Sequence, residues 1–245
     1  LGGALTILQP RHGYRAGIDA VLLAAAAPVD EQGAERVLDA GAGVGVVGLC
    51  IARRVPTARV TLVESEPQLV ALARKNVARN RLEERVTVIA ADVTGPAAGL
   101  AAAGIAPDSF DHVVANPPYQ IEGRGRRPRL AVKAAAHAMP AGSLARWVQF
   151  LTRVVVSGGT LTMIHRPDAL TDLLRLLEGR FGALKILPIH PRAGDPAVRM
   201  IVQGKKGSRA PLKLLSGLVL HEGDSGRFRL EVAGILRHGA ALPLA

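Results

Sequence analysis

Arg36-Val-Leu-Asp-Ala-Gly41-Ala-Gly-Val-Gly45-Val-Val-Gly48 joins a short apolar run to a glycine-rich turn and then to a second apolar run. The first run, over 36–40, predicts a strand, and the second predicts a helix reaching about Arg54. Glycines at such a junction let the backbone approach a ligand closely, and the start of the helix offers free N–H groups. The literal pattern is ambiguous. Gly43-Val-Gly45-Val-Val-Gly48 also satisfies the Gly-x-Gly-x-x-Gly of dinucleotide sites, with Glu64 downstream where a ribose-binding acid belongs.

Outward from this turn the pattern repeats. Residues 59–64 read as a strand, followed by a helix with Ser65 as N-cap and Pro67 in its first turn. Apolar positions at Leu69, Val70, Leu72, Ala73 and Val77 keep a helical period there. A third strand over 86–90 leads to Asp92, a small-residue stretch over 95–104 allows a short helix, and 110–115 forms a fourth strand. Residues 120–141 are rich in Arg and Pro and poor in apolar side chains, so they read as an exposed loop. Beyond it come a helix over 143–156, a strand over 160–165, a helix over 167–179, and a strand pair over 184–189 and 197–203. Upstream, 1–16 suggest an edge strand or hairpin, and Gly17-Ile-Asp19 enters a helix that Pro28 ends. Strands alternating with helices make βαβ units and a parallel sheet.

Acids close three consecutive strands: Asp39, Glu64 and Asp92. In α/β proteins that carboxyl edge is where ligands bind. Asp39, two residues before Gly41, would repel a pyrophosphate and attract a cation. Glu64 can accept two hydrogen bonds from ribose hydroxyls, and Asp92 can accept one from an adenine NH2. S-adenosylmethionine (SAM) fits: it carries a ribose, an adenine, an ammonium and a sulfonium, but no phosphate.

The fourth strand ends in Asn116-Pro117-Pro118-Tyr119. Neither proline has an N–H to give, so the ladder stops there and a stiff turn remains with its carbonyls pointing outward. Such a turn suits a planar group that carries an NH2. The Asn116 side-chain oxygen and the Pro117 carbonyl can accept both N–H bonds while Tyr119 stacks on the ring.

Composition narrows the partner. Lys and Arg number 31 against 20 Asp and Glu, a formal net charge of +11 that attracts polyanions, nucleic acid first among them. An arginine-rich proteome would give the same balance with no partner at all. Arg124, Arg126, Arg127, Arg129 and Lys133 follow the turn directly, where they can hold phosphates beside a target base. A second basic stretch, Lys205, Lys206, Arg209 and Lys213, is read as a solvated face. The single cysteine, Cys50, allows no internal disulfide and points to a reducing, cytoplasmic setting. Cys50, Trp147 and Phe150 read as core residues, and the seven histidines show no metal-ligand spacing. No apolar stretch is long enough to span a bilayer. The chain starts without Met, which reads as a trimmed N-terminus.

Asp39-x-Gly41-x-Gly43-x-Gly45, Glu64, Asp92 and Asn116-Pro-Pro-Tyr119, in this order, resemble the class I SAM-dependent methyltransferases. The Asn-Pro-Pro-Tyr turn further resembles those that methylate an exocyclic or amide nitrogen. Three more segments are similar to the bacterial tRNA1(Val) (adenine-N6)-methyltransferase family: Gly17-Ile-Asp19-Ala-Val-Leu-Leu23, Ile164-His-Arg-Pro-Asp168, and Arg199 followed by Gly204-Lys-Lys-Gly207. The resemblance implies a Rossmann-like fold: a seven-stranded, mostly parallel sheet with an antiparallel last strand and helices on both faces. It implies a SAM-binding core over 36–207, an N-terminal strand and helix segment over 1–35 packing on it, and a C-terminal extension over 208–245. Gly41, Gly43 and Gly45 would line the methionine side of SAM, Glu64 the ribose and Asp92 the adenine. Asp19 and Asn116 would lie near the cofactor, and the substrate would be the tRNA adenosine beside the anticodon. Relatives commonly carry Ala-Arg-His-Glu after the turn, where this chain has Ala135-Ala136-His137-Ala138.

Three other functions compete. A release-factor glutamine methyltransferase shares the turn, because an amide NH2 presents the same two hydrogens. Such enzymes carry a helical domain before the first strand, and here 36 residues precede Val37. An RNA-binding module with a degenerate pocket would not need intact Asp39, Glu64, Asp92 and Asn116. A nicotinamide dehydrogenase has no use for Asn-Pro-Pro-Tyr.

Overall fold

In chain order the elements are α1 (Ile18–Ala26), β1 (Arg36–Ala40), α2 (Val46–Arg54), β2 (Arg59–Glu64), α3 (Pro67–Arg79), β3 (Val86–Ala90), α4 (Ala97–Ala102), β4 (Phe110–Ala115), β5 (Gln120–Ile121), β6 (Ala138–Met139), α5 (Ser143–Val154), β7 (Val155–His165), α6 (Leu170–Leu177), β8 (Phe181–His190), β9 (Arg199–Lys206), β10 (Lys213–Leu214), β11 (Leu218–Val219) and α7 (Leu230–His238). The computed structural model describes residues 2–12, 15–118, 142–223 and 226–244, with the backbone alone of 120–121 and 138–139.

The main sheet runs β10-β8-β9-β7-β4-β1-β2-β3, with β11 also paired to β8. The strands β3, β2, β1, β4 and β7 are parallel, and β9 lies antiparallel between β7 and β8. The α/β, mostly parallel sheet expected from the sequence is therefore present. Its antiparallel strand is the last long one, and the two-residue β10 and β11 extend the seven longer strands at one edge. Successive side chains of β1 alternate faces, as a strand requires. Val37 packs with α1, α2 and the C-terminal α7, whereas Leu38 and Ala40 pack with α4, α5 and α6. Four of the five β1 residues are buried, which is the signature of a strand covered on both sides. Among the described residues no helix is long and apolar enough to cross a membrane.

Several local expectations change. No strand forms over the described part of 1–16. Instead the Asn76 Oδ1 accepts the Leu8 N–H at 2.7 Å, and its Nδ2 donates to the Leu8 and Val44 carbonyls at 3.0 and 2.9 Å. Asn80 grips Thr6 in the same way, so side-chain amides of α3 do what a neighbouring strand would do. Ser65 is not the N-cap of α3. Glu66 takes that place with no side-chain cap, because the Glu64 carboxylate has already accepted the Ser65 and Glu66 N–H groups at 2.8 and 2.9 Å. Pro67 occupies the first turn as expected. The helix placed from Pro167 starts as a 3-10 turn, Pro167–Ala169, before α6, and β7 begins at Val155 rather than at residue 160.

Candidate active site

Register sets the geometry. Ala40 of β1 lies opposite Val63 of β2 and Ala115 of β4, Glu64 lies opposite Ala90 of β3, and Ala115 lies opposite Met163 of β7. The residues that leave these strands therefore share one edge: Asp92 beyond β3, then Glu64, Gly41, Asn116 and His165. Because β9 is antiparallel, its first residue, Arg199, comes to the same edge, opposite Ile189 of β8.

The glycine turn is held from below. Gly41, Gly43 and Gly45 all take left-handed φ values of 63°, 59° and 90°. At Gly41 a Cβ would lie 2.4 Å from Cη2 of Trp147, so both the φ and the space demand glycine. Trp147, read from sequence only as a core residue, is buried in α5 and its indole forms the floor under this turn.

Asp39 and Glu64 both point back into the turn. The Gly48 N–H donates to Asp39 Oδ2 at 2.9 Å, and the Gly43 N–H donates to Glu64 Oε2 at 2.8 Å. Asp39 is 1 % exposed. Burial pushes its carboxyl up from 3.8 to about 7, against the Gly48 N–H, and the nearby Glu64 charge adds to the rise. A carboxylate offers about four acceptor positions, and three backbone N–H groups occupy Glu64. The Ser65 hydroxyl also reaches Oε1, at 3.4 Å, so protein groups hold the carboxylate at four points. Asp92 is exposed beyond β3, and its Oδ1 accepts the Thr94 N–H and hydroxyl, each at 2.8 Å.

Asn116 and Pro118 are half-buried and Pro117 is buried. Tyr119 lies outside the described residues, as do Arg124, Arg126, Arg127, Arg129 and Lys133. Asp19 does not cap α1. It pairs with Arg199 at 2.8 Å, tying the start of α1 to the start of β9 on the far flank of the edge. Burial lowers the pKa of His165 and so favours its neutral imidazole. Asp39 is thus bonded to Gly48 and Glu64 to Gly43, Asn116 adjoins them through the register of β4 on β1, and Asp92 and Asp19 stand at opposite ends. Sequence reasoning missed Trp147 as the floor, the Asp19–Arg199 pair and Asn76, whose Nδ2 holds the Val44 carbonyl inside the turn.

Comparison with known proteins bears on the same residues. The family model described as "Methyltransferase small domain" matches residues 17–150, more than half of the chain and the whole row from Asp19 to Asn116. The chain belongs to this family. Among curated relatives it is 36% identical over 118 residues to the tRNA1(Val) (adenine(37)-N6)-methyltransferase of Bacteroides thetaiotaomicron, covering 48% of this chain and 46% of that protein. The enzyme of the same name from Aeromonas hydrophila is 29% identical over 219 residues, covering 87% of this chain and 85% of that one. A release factor glutamine methyltransferase of Chlorobaculum tepidum is 29% identical over 172 residues, 66% of this chain and 56% of that protein. Among solved structures, one from Agrobacterium tumefaciens described as a "predicted O-methyltransferase" superposes with a TM-score of 0.77 at 34% identity, covering 92% of this chain and 98% of that one.

This methyltransferase uses SAM, and its residues suit that cofactor. The turn exposes backbone rather than side chains, and burial raises the pKa of the Asp39 carboxyl behind it. Asp39, Glu64 and Asp92 would oppose a phosphate.

Proposed function

We propose that this methyltransferase transfers a methyl group to the exocyclic N6 of an adenine in RNA, a tRNA adenosine beside the anticodon. One observation carries the reading: the turn Asn116-Pro117-Pro118 ends a buried strand in register with the glycine turn and Glu64. A planar NH2 presented there meets two acceptors, the Asn116 side-chain oxygen and the Pro117 carbonyl. Accepting both N–H bonds favours a pyramidal nitrogen whose lone pair is no longer spread into the ring. SAM, when bound, supplies an electrophilic methyl, so the protein contributes positioning and electronic relief rather than a general base. The N6 proton becomes acidic only after transfer and leaves to water. Gly41, Gly43 and Gly45 would hold the methionine part of the cofactor, Glu64 the ribose and Asp92 the adenine, with Asp19 and Asn116 beside it. Tyr119 would stack on the flipped base, worth roughly 1–3 kcal/mol. Arg124, Arg126, Arg127, Arg129 and Lys133 would hold the flanking phosphates.

The net charge of +11 and the names of two relatives that align on this chain support RNA as substrate. A glutamine side chain on a protein is the second reading, favoured by the shared turn and by the release-factor relative. Labelled SAM offered with tRNA, with other RNA and with a release factor separates the two. Label should enter tRNA adenine as N6-methyladenine, and Asn116→Ala should lower the rate ~10²-fold, as loss of one transition-state hydrogen bond does elsewhere. Label entering only protein, or a tRNA oxygen, would overturn the reading.

A further inference from the structure

Residues 207–219 leave the far end of β9 and climb back along the outer edge of β8. Their backbone is bonded to β8 and the residue before it at intervals. The Gly207 N–H donates to the Arg180 carbonyl at 2.9 Å, and the Ala183 N–H donates to the Ala210 carbonyl at 2.8 Å. Lys213 and Leu214 pair with Lys185 and Ile186, and Leu218 and Val219 pair with Ile189 and His190. The approach is closest at Gly182, where a Cβ would lie 2.2 Å from the Ser208 carbonyl oxygen. Only glycine admits the strap at that point. It runs from the amino edge of the sheet to the carboxyl edge, where Asn116 and Arg199 lie. The 10 residues of β8 put the two edges about 30 Å apart, at ~3.3 Å per residue.

This strap and the end of β9 carry charge of one sign. Residues 205–219 contain Lys205, Lys206, Arg209 and Lys213, and no Asp or Glu. Lys206 is committed to Asp108 at 2.7 Å and to the Val155 carbonyl. Lys205, Arg209 and Lys213 are exposed, and among the described residues none of them forms an ion pair. Arg180, also exposed, adjoins them through the Gly207 bond. A face built for solubility usually mixes the two signs, and the acids beside this one are Asp108, already paired with Lys206, and the exposed Glu178. Here same-sign charges stand on a backbone fixed to the sheet, from its amino edge to the middle of β8.

We propose that Lys205, Arg209 and Lys213 form a second docking surface for the RNA, holding the sugar-phosphate backbone of the tRNA body beyond the anticodon stem-loop. This rests on the RNA reading given above. Phosphate contacts of this kind add affinity and fix orientation without reading sequence. Leu212 and Leu214 stand exposed beside Lys213, but two leucines fall far short of the apolar face with which a segment lies on a membrane.

The test compares wild type with K205E/R209E/K213E, three exposed changes whose effect on folding is checked by Tm. Binding of a whole tRNA transcript, of an isolated anticodon stem-loop and of anionic phosphatidylserine vesicles is measured across salt concentrations. Wild type should hold whole tRNA at least about tenfold more tightly than the stem-loop, and the triple variant should bind the two alike. The slope of log K against log salt for whole tRNA should fall by about 3, three duplex phosphate contacts at ~0.9 each. Unchanged affinity and slope for whole tRNA in the triple variant overturn the proposal. So does loss of vesicle binding alone. Wild type that binds tRNA through the strap yet never methylates it refutes the adenine reading and leaves the docking surface standing.

Discussion

Replacing Asp39 by asparagine should make the protein more stable at pH 8 and less able to bind its cofactor. The carboxyl is fully buried and its pKa stands at about 7 against an ordinary 3.8. That difference of about three units, at ~1.4 kcal/mol each, is worth ~4 kcal/mol between the two protonation states. The folded state keeps the Asp39 proton to higher pH than the unfolded chain does. Between pH 4 and 7 the native form therefore binds more protons, and the stability contributed by this group is full below pH 4 and lost as pH rises to 7. In D39N the amide oxygen would still accept the Gly48 N–H. The new amide N–H groups need a partner, and leaving them without one costs ~1–3 kcal/mol at every pH. Urea denaturation of D39N and wild type from pH 4.5 to 8 isolates the titrating part, because the constant offset cancels. The gain of D39N over wild type should grow by a few kcal/mol across this range, with most of the change below pH 7. SAM should raise the Tm of D39N by less than it raises that of wild type. A stability difference that stays flat with pH, or that shifts in favour of wild type as pH rises, would refute the account of Asp39 as an acid held against its own ionisation.

Other substitutions probe the frame of the site. Gly41→Ala combines left-handed strain of ~1–2 kcal/mol with overpacking of ~1–3 kcal/mol against Trp147. Trp147→Leu should relieve the second part only, giving a coupling of at least ~1 kcal/mol in a double-mutant cycle of denaturation midpoints. Asn76→Ala removes three hydrogen bonds from a fully buried amide and should cost ~2–4 kcal/mol, with faster proteolytic cleavage in residues 2–12 as the released strap frays. Burial pushes the Cys50 thiol up to about 12, so a thiol reagent at pH 8 should leave it untouched in the native state and modify it only as fast as the protein opens.

What could be read from the sequence is what contiguous residues determine. The glycine turn, the acids at strand ends and Asn116-Pro117-Pro118 are each written within a few positions, and each is punctuated by residues whose backbone limits are strict. The hydrophobic period did the rest, since parallel strands buried on both faces leave apolar runs of one length. The features missed depend on where the chain returns. Asp19 and Arg199 are 180 positions apart, and only the antiparallel course of β9 brings them to one edge. Trp147 looked like any aromatic on an apolar helix face, because nothing nearby in sequence shows that Gly41 lies against it. Asn76 is different: it stands on the buried stripe of α3 with Ala73 and Val77, and an amide in such a place has to find partners.

The same distinction explains why the chemistry of this methyltransferase was easier to read than its substrate. On the proposed reading, accepting two N–H bonds would take one side chain and one carbonyl, which adjacent residues can supply. Gripping a polynucleotide takes cations spread over tens of ångströms, and their meaning depends on their neighbours in space. Lys205, Arg209 and Lys213 read as a solvated run, and their spacing in sequence does not show that the chain turns back along β8. Where the family resemblance implies Arg and Glu, the sequence has Ala136 and Ala138, an exchange of one charge of each sign for none. It leaves the net charge there unaltered, so a polyanion would meet the same field. On that resemblance a specific contact would be lost, and orientation would then fall more heavily on distant contacts such as the strap. If so, Ala136→Arg should tighten binding of the isolated stem-loop more than binding of whole tRNA, which the salt-dependence experiment reads directly. Equal gains for both RNAs would refute this division of labour.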